Sequence, residues 1–211
     1  YLLGSRNPFT GQIEGFDIDM VDQVAAAIFG TADGHVQLRV ISAADRIPLL
    51  QAGDVDIVAR NMTINCSRWE QIAFSAEYFH SGQKVLVEKG SGITEVADLA
   101  GKRVCAPAGT TSLDQIQEVA PDAIAVSAVN HTGCLLKFQN GEADAITGDD
   151  TVLAGLVAQD PYAEVLAGEA LTDEPYGIGV NADDVDLVRF VNAVLERAHD
   201  DEAHAAPGER P

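Results

Sequence analysis

The sequence predicts an α/β protein built as two similar lobes. Two observations lead. The segment QAGDVDIVA at 51–59 is echoed by QNGEADAIT at 139–147, and each copy belongs to a strand–helix–strand pattern. Two further strand-like runs, KVLVEKG at 84–90 and EPYGIGV at 174–180, stand where the chain would cross between lobes as hinges. The organisation expected is lobe one over 1–87, lobe two over 88–176, and a return to lobe one with a C-terminal tail over 177–211.

The elements follow in order. Residues 4–15 read as turns, around Gly4, Asn7-Pro8, Thr10-Gly11 and Gly15. Ile18, Val21, Val24, Ala25 and Ile28 recur at helical spacing, with Asp17 and Asp19 suited to the positive start of that helix. Val36 to Val40 alternates as a strand does. Ser42 and Asp45 precede a short helix through Leu49 and Leu50, closed at Gly53, and Val55 to Ala59 is a buried-type strand. The second copy reads as a strand at 124–129, a helix at 132–140 and a strand at 143–147. Before it come a strand at 103–106 and a helix carrying Leu113, Ile116 and Val119. An amphipathic helix is expected over 184–199, and the aperiodic tail from Ala203 to Pro211 is expected to fray.

Composition narrows the function. The 211 residues are 46% hydrophobic, enough for a core. A net charge of -20 repels nucleic acid and anionic membrane, and it makes a lone arginine in a cleft conspicuous. No stretch is long and apolar enough to span a bilayer. The chain opens at Tyr1 in loop-like sequence with no signal peptide, so an export signal or lipid anchor is expected upstream. Cys66, Cys105 and Cys134 fit no compact metal motif, and three thiols allow one internal bridge at most. Cys105 ends a strand and Cys134 opens a helix in the same lobe. These two are therefore expected to be bonded, with Cys66 free or paired upstream.

Polar residues gather at the C-terminal ends of strands, where parallel sheets hold ligands. Asn61, Met62 and Thr63 follow the strand at 55–59. Arg68, five residues on, offers a guanidinium fork that matches a carboxylate; otherwise it pairs with Glu70 or Glu77 at the surface. Gly109, Thr110, Thr111 and Ser112 open the next helix with hydroxyls and N–H groups for an anion, or simply cap it. Asp149 and Asp150 follow a strand; one can hold an ammonium group and the other cap the next helix. Together these groups complement a zwitterion. Arg6 and Asn7 are placed for the ligand's side chain, and Arg6 would favour an acid; the alternative pairs Arg6 with Glu14 or Asp17. No nucleophile, metalloprotease or dinucleotide motif is present, and His131 beside Cys134 is a weak thiol–imidazole pair.

The chain resembles the polar amino-acid family of extracytoplasmic solute-binding proteins, the receptors of ABC importers, and especially glutamate- or glutamine-type receptors of actinobacteria. The matching segments are GQIEGFDIDMVDQVAAAI at 11–28, RIPLLQAGDVDIVARNMTINCSRWEQIAFSAEYFHSGQKVLV at 46–87, DLAGKRVCAPAGTTS at 98–112, GEADAITGDDTVLAG at 141–155 and EPYGIGV at 174–180. The resemblance implies a type II periplasmic-binding-protein fold, with two parallel-type sheets joined by two hinge strands. It implies a monomer that binds a free L-amino acid between closing lobes and hands it to a membrane permease, with no cofactor and no chemistry. It puts the α-carboxylate on Arg68, Thr63, Gly109, Thr110 and Thr111, and the ammonium on Asp149 and the Asn61 carbonyl. The family's usual Gly or Ser is replaced by Asn61, and an aromatic wall of the first lobe falls near Ala43. Glutamate is the expected ligand, aspartate next. The fold's other uses, cyclohexadienyl or arogenate dehydratase and ligand-sensing domain, are the alternatives.

Overall fold

The structure is a computed structural model and describes residues 3–204. In chain order the elements are β1 (Ser5–Arg6), β2 (Ile13–Glu14), α1 (Phe16–Phe29), α2 (Arg46–Ala52), β3 (Ile57–Val58), α3 (Cys66–Trp69), β4 (Ala73–Phe74), β5 (Phe79–Glu88) and β6 (Arg103–Pro107). There follow α4 (Thr111–Val119), β7 (Ile124–Ala128), α5 (His131–Gln139), β8 (Ala145–Asp149), α6 (Asp150–Val157), β9 (Ala163–Val165), β10 (Asp173–Tyr176), β11 (Gly179–Val180) and α7 (Val185–His204). They fall into two compact units. The first comprises Leu3–Arg39, Ile47–Phe79 and 176–204, and the second Val40–Arg46 and His80–Pro175.

The second unit is organised by a six-stranded sheet of order β10-β5-β8-β6-β7, with β9 paired to β5. Its strands alternate, and both faces are buried. Val85 and Val87 of β5, Val104 of β6 and Ala145 of β8 pack on one side with Ile116 of α4. Leu86, Cys105 and Ile146 pack on the other with Leu135 of α5 and Leu153 of α6. A sheet covered twice reads as nearly continuous apolar sequence, which is why these strands are legible as short runs. Cys105 and Cys134 are bonded inside the second cluster, Cα atoms 5.6 Å apart, and Cys66 is an exposed free thiol. Cys134 is therefore no catalytic thiol beside His131.

The first unit holds the three-stranded sheet β3-β11-β4. Its core joins Met20 and Val24 of α1 to Ile178, Val191 and Val194, the last two on α7.

The structure corrects several sequence expectations. Parallel pairing joins β7 to β6 and β6 to β8. β5 runs antiparallel to β8, and β11 runs antiparallel to both β3 and β4. Residues 4–15 are not turns alone, because β1 and β2 pair as a small hairpin. Residues 36–40 form no strand. Val40 is 83% exposed, and among the described residues no ladder partner lies beside this segment. α7 runs on through Ala203 and His204, where fraying was expected; 205–211 lie outside the described residues.

Candidate functional site

In the first unit, β3 delivers the chain to Asn61, Met62 and Thr63. Asn61 adopts φ 36°, a left-handed conformation that a residue with a side chain adopts rarely, Asn more readily than most. Its N–H donates to Asp17 Oδ2 at 3.1 Å, and Asp17 Oδ1 accepts from the Tyr78 hydroxyl at 2.6 Å. Met62 is fully buried, and its carbonyl accepts from Gly177 N–H. Thr63 forms an isolated antiparallel bridge with Tyr176. This loop is therefore fixed along its length by backbone and carboxylate contacts.

Arg68 lies in α3, whose single turn is capped by Asn65, with the Asn65 side chain accepting from Arg68 N–H at 2.9 Å. Only 8% of Arg68 is exposed, and its Nη1 donates to the Thr63 carbonyl at 2.7 Å. The five-residue spacing thus folds Arg68 back onto the loop it follows. A buried, always-charged guanidinium held in a fixed plane is suited to a carboxylate. Tyr78 and Tyr176 join Phe16 and Phe79 in an aromatic cluster with centroids 5.5 to 6.4 Å apart.

Asp17 is a functional candidate that the sequence reading passed over. The sequence marks Asp17 for its charge at the helix start and as an alternative partner of Arg6, yet the carboxylate serves Asn61 and Tyr78. Burial pushes the Asp17 carboxyl above its ordinary 3.8, against the lowering influence of the Tyr78 hydroxyl, the Asn61 N–H and Arg60. The signal was helical spacing within and beyond the GFDIDM motif: Asp17 shares the buried face with Met20 and Val24, whereas Asp19 is exposed.

Arg6 sits exposed on β1, where Nη1 donates to the Gly11 carbonyl at 2.8 Å across the hairpin. Glu14, one partner considered for Arg6, receives the Asn7 amide instead, at 3.0 and 3.1 Å.

In the second unit, β6 leads through Gly109 to α4. Thr110 is the N-cap: its hydroxyl accepts from Leu113 N–H at 3.3 Å and donates to the Pro107 carbonyl at 2.7 Å. Gly109 has φ 76°, and a Cβ there would lie 2.7 Å from the Ala44 Cα. Only glycine allows that approach. The neighbouring Arg46, buried to 2% exposure, donates to the Gly109 carbonyl and the Ala43 carbonyl at 3.0 Å each. Ala43, where an aromatic was missing, is itself buried under this contact.

Thr111 donates to Glu174 Oε2 at 2.8 Å, while Thr172 donates to the other oxygen at 2.7 Å. Gln83 joins the helix start to β8 by donating to the Ser112 carbonyl and the Thr147 hydroxyl. Asp149 ends β8 and is 5% exposed. It stands at the N-cap position of α6 without a side-chain capping bond; Asp150 accepts from Thr151 N–H and the Ser81 hydroxyl. The two aspartates are thereby separated: Asp150 does local structural work, and Asp149 does not cap. Arg46, Gln83 and Glu174 were not singled out from sequence, because their partners lie far along the chain.

Comparison with known proteins gives a consistent picture. A family model described as bacterial extracellular solute-binding proteins, family 3, matches residues 5–207. The ABC transporter glutamine-binding protein GlnH of Bacillus subtilis is 38% identical over 201 residues, 95% of this chain and 73% of that protein. The glutamate-binding protein GluB of Corynebacterium efficiens is 32% identical over 210 residues, 94% of this chain and 71% of that one. An ancestral arginine-binding protein solved bound to glutamine matches with a TM-score of 0.87 at 31% identity, over 94% of this chain and 87% of its own.

Proposed function

The chain belongs to the bacterial extracellular solute-binding proteins of family 3, and from that premise we propose an extracytoplasmic receptor that binds a free polar L-amino acid and delivers it to the permease of an ABC importer. It is a binding protein of type II periplasmic fold and not an enzyme, as are the relatives it matches. The observation that carries the ligand class is the buried Arg68 guanidinium, locked to the Thr63 carbonyl beside the Asn61 turn. That group answers an α-carboxylate, to which Thr63 and the backbone N–H groups of Gly109, Thr110 and Thr111 add donors, the Thr110 and Thr111 hydroxyls being given to Pro107 and Glu174. Asp149 and the Asn61 carbonyl answer the α-ammonium. Among the described residues no helix is long and apolar enough to cross a membrane.

For the side chain we propose glutamate first and aspartate next, with Arg6 as selector. A second reading, glutamine, is supported by two observations. Arg6 already donates to Gly11, and the 38% identical relative carries the name of a glutamine-binding protein. Calorimetric titration with glutamate, aspartate, glutamine and asparagine, followed by analysis of the recovered ligand, tests both readings. Saturable one-to-one binding with unchanged ligand is expected. Conversion of a prephenate-like substrate without amino-acid binding would sink the proposal.

A further inference from the structure

We infer that Asp17 is a positioning residue for ligand binding: its carboxylate holds Asn61 in the left-handed conformation that orients the peptide carbonyl offered to the amino group. The inference rests on the amino-acid reading above.

The geometry is specific. Asp17 occupies the first turn of α1 and is 3% exposed. An aspartate there ordinarily serves by its charge against the positive helix end, exposed to solvent. Here that turn is served by backbone carbonyls: Asp17 N–H donates to Leu3, and Ile18 and Asp19 N–H donate to Gly15. The carboxylate instead reaches other elements, Asn61 N–H 44 residues away and the Tyr78 hydroxyl 61 residues away. Where a left-handed φ is needed, glycine is the easy choice; this chain has Asn61 at φ 36°. A strained conformation persists only where surrounding contacts over-determine it. The charge-assisted bond from Asp17 is such a contact, and it acts on the peptide that carries φ of Asn61. Retaining an ionised carboxylate in a buried site is unfavourable, so its place beside the ligand loop calls for a compensating role.

The test is a double-mutant cycle read by titration with L-glutamate and L-glutamine. Asp17→Asn keeps size but removes the charge and leaves one acceptor oxygen where two served Asn61 N–H and the Tyr78 hydroxyl. Affinity for whichever amino acid binds the parent should fall about tenfold or more. Glycine at 61 adopts the conformation unaided. Asp17→Asn/Asn61→Gly, compared with Asn61→Gly alone, should therefore lose no more than about threefold. Amide exchange adds a separate readout: Asn61 N–H should exchange faster in Asp17→Asn, while amides of α1 and α7 keep their protection. Equal losses in both backgrounds, or loosening of α1 and α7 together, would overturn the inference. Should Asp17→Asn fail to fold, the Asn61→Gly pair decides; if the double variant also fails to fold, Asp17 is structural and the inference falls. A parent that binds no amino acid would defeat the proposed function, while the exchange comparison still decides the Asp17–Asn61 link.

Discussion

At the scale of single residues, Arg68 carries the largest expected effect. It is buried and bonded to the Thr63 carbonyl, so its removal takes away the proposed carboxylate donor and also frees the loop. Truncating one partner of a buried, hydrogen-bonded charge pair costs about 2–5 kcal/mol. Arg68→Ala should therefore weaken every amino acid alike, because the α-carboxylate is common to all, and Asp149→Ala should do the same through the ammonium. Near-parental calorimetry for either variant removes that residue from the site. Arg6 makes the opposite kind of prediction. It is exposed and tied to its own hairpin, so Arg6→Ala should leave the shared affinity largely in place while reducing the preference for glutamate over glutamine. An unchanged ratio of the two affinities would reduce Arg6 to a hairpin residue.

At the scale of elements, β6 is coupled by charge to the start of β8 and by sulfur to α5. Arg103 donates to Asp144 through Nε at 3.0 Å, Nη2 at 2.7 Å and its own backbone N–H at 2.7 Å. The Arg103 side-chain bond, foremost, holds the Asp144 carboxyl below its ordinary 3.8. A carboxylate with a lowered native pKa stabilises the fold fully above its unfolded value and loses that contribution as pH falls through the native one. Denaturant titrations should therefore show Asp144→Asn less stable than the parent at pH 7, with the gap closing in acid below about pH 4. A gap that does not change with pH would show that the pair acts by shape alone. The same strand carries Cys105, bonded to Cys134 across a separation of 29 residues. Closing a loop of that size is worth roughly 3–4 kcal/mol in the chain-entropy model. Replacing both cysteines by alanine should lower the melting temperature, and parental protein should show one free thiol, Cys66, under non-reducing mass spectrometry.

These elements also show what a sequence discloses. β5, β6 and β8 were legible because burial on both faces writes apolar runs, and α1 was legible as a helix from its spacing, although Met20 rather than Ile28 joins Val24 and Ala25 on the buried face. Residues 36–40 carry the same alternation yet form no strand, since alternation describes a face and says nothing of a ladder partner. The hairpin of β1 and β2 was hidden because two-residue strands are too short for any period. In the candidate site, Asn61, Thr63 and Arg68 were legible as neighbours in one segment. Asp17, Arg46 and Glu174 were not, because each meets its partner 44, 63 and 63 residues away, a distance that only folding closes.

At the scale of the whole molecule, charge dominates. The chain has 33 acidic and 13 basic residues, so pairing every lysine and arginine would still leave twenty acids without a basic partner. Like charges spread over so small a protein repel one another and raise the free energy of the compact state. Salt shortens the reach of that repulsion, from about 30 Å at 10 mM to about 10 Å at 100 mM. Screening also weakens attractive pairs such as Arg103–Asp144, but those contacts are short and the repulsions are many. The net effect should follow the sum: melting temperature should rise with sodium chloride between about 10 mM and 500 mM. A gain of about 1 kcal/mol corresponds to about 2–4 °C for a protein of this length. The measurement requires protein freed of bound amino acid, which would add its own stabilisation. Chloride is the right anion, because sulfate and phosphate strengthen burial by exclusion and would mimic the effect. A melting temperature that stays flat or falls as chloride is added would mean that the acidic excess is already balanced locally and that self-repulsion does not limit this fold.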